Sequence, residues 1–174
     1  MNPENVQLVL DTPFYSRRSL TTKSKVRFFD SPGVTASDNI DIANQLDKNS
    51  EMTINFMQFR FSTTAKTPIA IANLNMIALI QQECWATANK NTSEKVWQTS
   101  LGSMFQFPSI FADAASAYNL GNIVNAVVKL NVPLIIEGGE NINFNIERET
   151  TTDYSAIQLE WILWGSIDRR KTVE

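Results

Sequence analysis

VPLIIEGGENINFNIERETTTDYSAIQLEWILWG, residues 132–165, decides how the chain is read. Val132, Leu134 and Ile136 alternate with other residues, and Ile142, Phe144 and Ile146 alternate with Asn141, Asn143, Asn145 and Glu147. This period of two predicts two strands, the second half-buried with its asparagines turned to solvent. Gly138-Gly139 between them supplies residues that tolerate positive φ, as a tight reversal requires. After a polar loop a long last strand begins, with Ile157, Leu159, Trp161 and Leu163 on one face. Its other face starts polar at Gln158 and Glu160, then turns apolar at Ile162 and Trp164. An end that is apolar on both sides predicts a cover: the chain's own N-terminal segment or helix, or a second subunit.

Working upstream, Met52–Ser62 is the second strong strand, but its apolar phase slips between Phe56 and Met57. A β-bulge at that point would return both halves to one core. Ile69–Ala88 mixes periods; a short helix or turn after Pro68 and then a strand from about Met76 to Trp85 is expected. A polar loop over Ala88–Lys95 and a short strand at Val96–Thr99 follow. Ser109–Asn119 reads as a helix, with Ser109 as N-cap and Gly121 as the stop. Residues 34–50 read as a long polar loop. Val26–Phe29 begins a core strand, and residues 1–25 read as an arm with one short strand at Val6–Leu10. Within and just beyond that arm, Arg17, Arg18, Lys23, Lys25 and Arg27 place five cations in eleven residues. Such a run suits either an ordinary solvated segment or a weak contact with a genome or an acidic neighbour.

Composition removes whole classes of chemistry. The 174 residues, 43% hydrophobic and 19% charged, are those of a single globular domain, large enough to bury roughly 70% of its unfolded surface. The chain has no histidine, which removes the Ser-His-Asp and Cys-His nucleophiles, histidine-ligated metals and any imidazole base. One cysteine, Cys84, leaves no internal disulfide and no thiolate metal site. No phosphate-binding glycine motif occurs. Glu137, Glu140, Glu147 and Glu160 remain as candidates for a carboxylate glycosidase, with nothing in their spacing to favour it. No cofactor, metal or small-molecule substrate is expected. Neither a signal peptide nor an apolar run of about 20 residues is visible, so no transmembrane segment is expected. The formal charge of −3 makes the body acidic, while the arm and a tail at Arg169, Arg170 and Lys171 are basic.

Many short strands, polar loops and one or two short helices in the connections point to an antiparallel sandwich or barrel. The order of parts resembles the single jelly-roll capsid proteins of viruses, most of all those of tailless icosahedral bacteriophages. The matching features are the basic arm running into Lys25-Val26-Arg27-Phe28-Phe29, the MTINFMQFRF strand, the Gly-Gly-Glu turn, NINFNIE, and a last strand closing on Leu163-Trp164-Gly165. The resemblance implies an all-β, antiparallel jelly-roll β-sandwich over residues 26–168, flanked by an arm (1–25) and a basic tail (169–174). It also implies a non-enzymatic homo-oligomer in the virion, made in the host cytoplasm, that forms capsomers with itself and other virion proteins. Ile162 and Trp164 are then the expected subunit contact. The alternative is a carbohydrate- or receptor-binding module of the fibre or spike kind, with Trp85 and Trp97 stacking on sugar rings.

Overall fold

A computed structural model describes residues 7–11, 13–30, 50–64, 71–91, 94–105, 125–140 and 142–170. Its strands are β1 (Gln7–Asp11), β2 (Phe14–Leu20), β3 (Lys25–Phe28), β4 (Ser50–Thr63), β5 (Cys84–Lys90), β6 (Glu94–Ser100), β7 (Asn125–Glu137), β8 (Ile142–Arg148) and β9 (Tyr154–Arg170). Helix α1 (Ile71–Glu83) joins β4 to β5, and the single turn α2 (Leu101–Met104) follows β6.

The pairing is that of a ribbon folded back on itself. β1 and β2 together pair with β9, β3 with β8, β4 with β7, and β5 with β6, all antiparallel. The ribbon then rolls up, so that β9 also pairs with β4 and β8 with β5. Two sheets result. The first has β1 and β2 end to end on one edge, then β9, β4 and β7; the second runs β3-β8-β5-β6. This is the jelly-roll β-sandwich with short helices in its connections.

The two inner faces meet around Trp161 of β9, which is fully buried. Its ring lies 5.6 Å from Phe28 of β3, 5.3 Å from Phe144 of β8, 4.7 Å from Phe59 of β4 and 6.2 Å from Trp97 of β6. One side chain thus touches strands of both sheets. Met52, Ile54, Met57 and Phe61 of β4, Ile142 and Ile146 of β8 and Ile157, Leu159 and Leu163 of β9 extend the same core.

The bulge in β4 is present, one residue before the phase slip suggested. Register shifts between Ile54 and Phe56, so Asn55 is the extra residue and Phe56 is turned to the outer face. The kink drives the β4 backbone against β9 at Gly165. A Cβ there would lie inside contact distance of the Thr53 carbonyl oxygen and 2.9 Å from Ile54 Cα. Only glycine admits that approach.

Four other expectations change. The strand expected from Met76 is helix as far as Glu83, because Leu74, Ile77 and Ile80 bury one helical face while Leu79 is exposed; β5 begins at Cys84. The loop expected over Ala88–Lys95 is strand at both ends, on either side of a turn at Asn91. β8 is not half-buried: as an inner strand of its sheet it buries Asn143 and Asn145 as well as Ile142, Phe144 and Ile146. Residues 7–11 and 14–20, read as part of an arm, pair along β9, with Phe14, Ser16 and Leu20 buried. Arg169 and Arg170 end β9 opposite Leu8 and Gln7. The helix expected over Ser109–Asn119 and most of the loop expected over 34–50 lie outside the described residues.

The Gly-Gly-Glu turn is held by its own atoms. Glu140 N–H donates to the Glu137 carbonyl at 3.0 Å, and Gly139 takes φ 86° while Gly138 does not take positive φ. The Glu140 carboxylate accepts the Glu137 N–H at 3.0 Å and Lys90 Nζ at 2.8 Å. The Lys90 hydrogen bond, helped by the backbone donor, holds the Glu140 carboxyl below the usual range.

Candidate subunit interface

The outer face of the β9-containing sheet is ordered in rows by the register. One row is charged. Glu160 on β9 stands between Arg17 on β2 and Arg60 on β4, at 2.6 Å and 3.4 Å. Glu160 is buried, and its two partners are why a carboxylate can occupy the middle strand. The next row is Tyr15, Ile162, Gln58 and Val127, and the one beyond it sets Trp164 beside Phe56.

Here the surface turns apolar. Trp164 is 42% exposed and Phe56 39%, side by side on adjacent strands. Val127 (62%) and Ile135 (47%) on β7 carry the patch to the sheet edge. The β7 chain bulges there, with four residues, 130–133, opposite Asn55 alone, and Val132 in that bulge is 80% exposed. Trp164 is positioned from one end: its Nε1–H donates to Gln58 Oε1 at 3.2 Å, and Gln58 Nε2–H donates to Asn125 Oδ1 at 2.8 Å. The polar edge of the indole is satisfied while its ring remains on the surface, the state in which tryptophan contributes most to contacts between proteins. Pro133 and the bulge disrupt β7 as an edge for further strand pairing.

The two residues singled out in the sequence therefore separate. Trp164 is surface; Ile162 is turned the same way but is only 7% exposed, enclosed between its neighbours in the row. Phe56, Val127, Val132 and Ile135 were not singled out. Phe56 was assigned to the core by the misplaced bulge, and the β7 residues join the patch through a register that one sequence does not reveal.

The five cations also separate. Arg17 is bound to Glu160, Arg18 to Asp30 at 2.6 Å, and Lys25 to Glu147 at 3.0 Å. Lys23 and Arg27 make no ion pair among the described residues. Burial raises the Glu147 carboxyl, but Lys25 and, at 3.3 Å, Lys95 outweigh it and leave the group below its usual range. The loop carrying these cations is pinned by Arg148. Its Nε–H donates to the Lys23 carbonyl at 3.0 Å, one Nη donates to the Thr152 carbonyl at 2.7 Å and the other to the Thr21 carbonyl. Its guanidinium also lies over the Tyr154 ring at 5.2 Å.

Trp97 packs inward against Trp161, whereas Trp85 lines a shallow cleft with Lys95, Gln98, Glu147 and Glu149. The two rings do not form one stacking platform. Among the described residues no three Cys, Asp or Glu side chains converge to hold a metal ion, and no helix is long and apolar enough to cross a membrane. No protein-family model and no curated protein matches the chain.

Proposed function

We propose that this chain is a structural protein of a virion, of the tailless icosahedral bacteriophage kind: a jelly-roll subunit that packs against copies of itself in capsomers of the shell, beside other virion proteins. The observation that carries the proposal is the exposure of Trp164 and Phe56 at facing positions of adjacent strands, extended by Val127 and Ile135 across the outer face of the sheet. A fixed aromatic anchor in an apolar patch, with the Arg17–Glu160–Arg60 row beside it, has the composition of an interface core and its polar rim. In this reading the occupant is a second copy, since a capsomer formed by self-association takes both sides of the contact from one kind of chain. Such a role needs no catalytic group. The Gly-Gly-Glu turn and the Glu160 row are accounted for by the stability of the body. Electron microscopy of the concentrated protein tests the proposal: capsomers or closed shells are expected, and a field of single subunits at every concentration would overturn it.

A further inference from the structure

Lys23, Lys25 and Arg27, with Arg18 opposite, line a cleft of about 430 Å³ where β2 reverses into β3. Ser19, Thr21 and Val26 also line it, and among the described residues Asp30 is its one acid. Among the described residues four lining cations face one lining carboxylate, and Glu147 pairs with Lys25 from outside the lining, so the cleft is cationic on a chain whose net charge is −3. The field there opposes that of the whole molecule. Arg18 is committed to Asp30 and Lys25 to Glu147, but Lys23 and Arg27 have no carboxylate partner among the described residues. The backbone beneath them is fixed, because Arg148 bonds the carbonyls of Thr21 and Lys23, and Arg148 N–H donates to the Ser24 carbonyl at 2.9 Å. Two free cations on a braced loop are a preorganised anion site.

We propose that this cleft binds phosphate groups, taken either from the backbone of single-stranded nucleic acid or from a free polyphosphate. Phosphate suits the lining better than a lone carboxylate does. It offers several acceptor oxygens to guanidinium, ammonium and hydroxyl donors at once. Among the described residues the cleft holds no aromatic side chain to stack on a base, so recognition is of the backbone and independent of sequence. This site is separate from the Trp164 face and does not rest on self-association.

The test is fluorescence anisotropy of a labelled short oligo-dT titrated with the full chain, with tripolyphosphate and polyglutamate as competitors. With two phosphates held by Lys23 and Arg27, affinity falls about sevenfold between 50 mM and 200 mM salt, at a slope of roughly −0.7 per phosphate. The double variant Lys23→Ala/Arg27→Ala loses at least about tenfold and its salt dependence, while Lys90→Ala, at the other end of the same sheet, binds as wild type. Neither replaced side chain has a partner among the described residues, so the variant keeps the wild-type circular dichroism; the salt slope of wild type is an independent reading if it does not. Tripolyphosphate binding by calorimetry without oligo-dT binding identifies a free polyphosphate as the source. No binding of either, full binding by the double variant, or displacement by polyglutamate as effective as by tripolyphosphate overturns the proposal.

Discussion

Replacing Gly165 by alanine adds one methyl group where β9 crosses the bulge of β4. The new Cβ would overlap the Thr53 carbonyl oxygen and lie 2.8 Å from its carbon and 2.9 Å from Ile54 Cα. These are backbone atoms, so no side-chain rotation relieves the clash. Thr53 stands in register with Ser166 on one side and Ile135 on the other, and moving it disturbs both ladders. Overpacking of this kind costs about 1–3 kcal/mol, and each ladder hydrogen bond weakened adds about 1 kcal/mol. A total of about 3–4 kcal/mol corresponds to a fall in Tm of about 10 °C for a chain of this size. Urea unfolding followed by tryptophan fluorescence measures it, with Ser166→Ala on the opposite face expected within about 0.5 kcal/mol of wild type. Gly165→Ala unfolding at the wild-type urea concentration would refute the bulge at Asn55 and the register built on it.

Three further outcomes follow from the packing. Phe144→Asp puts an unpaired carboxylate between Phe29, at 5.4 Å, and Trp161; a loss of several kcal/mol, or no folded protein, is expected in thermal melts. Arg148→Met keeps the stem but leaves three carbonyls without their charged donor; about 2–4 kcal/mol is lost, and amide exchange at residues 21–24 rises. The Cys84 thiol is pushed up to about 12 from 9.0, mainly by burial, so the folded state keeps its proton where the unfolded state has lost it. That contribution is fully present below pH 9 and is lost as pH rises from 9 to 12, by at most about 1.4 kcal/mol per pH unit. The stability difference between wild type and Cys84→Ala should narrow across that range, and the native thiol should resist labelling at pH 8.

The strands were legible wherever one face alone met the core. The alternation of Ile157, Leu159, Trp161 and Leu163 reads directly as the inner face of β9, and the Gly-Gly dipeptide marks the β7–β8 turn. β8 misled because the polar residues of an inner strand can be buried too: Asn143 and Asn145 alternate like solvent-facing residues but lie under cover. The bulge was detectable as a phase slip, yet the apolar Phe56 hid its position. Leu74, Ile77 and Ile80 mark a helix only once Leu79 is known to be outside. Of the interface, Trp164 was visible as the excess apolar end of the last strand. Its partners were not, since adjacency of Trp164, Phe56 and Val127 is a property of strand register over more than a hundred residues. The cations were visible as a run; which were neutralised depended on Glu160, Asp30 and Glu147, brought from elsewhere in the chain.

Sedimentation equilibrium over a wide concentration range, comparing wild type with Trp164→Arg, bears most directly on the self-associating role. Trp164 lies on the outer face, 42% exposed and outside the buried core cluster, so the variant should retain the wild-type fold by circular dichroism. Wild type is expected to form oligomers, and Trp164→Arg to weaken their association by at least about 2 kcal/mol, roughly thirtyfold in the association constant. A wild-type chain that stays monomeric throughout, or a folded Trp164→Arg that assembles as wild type does, would contradict the account.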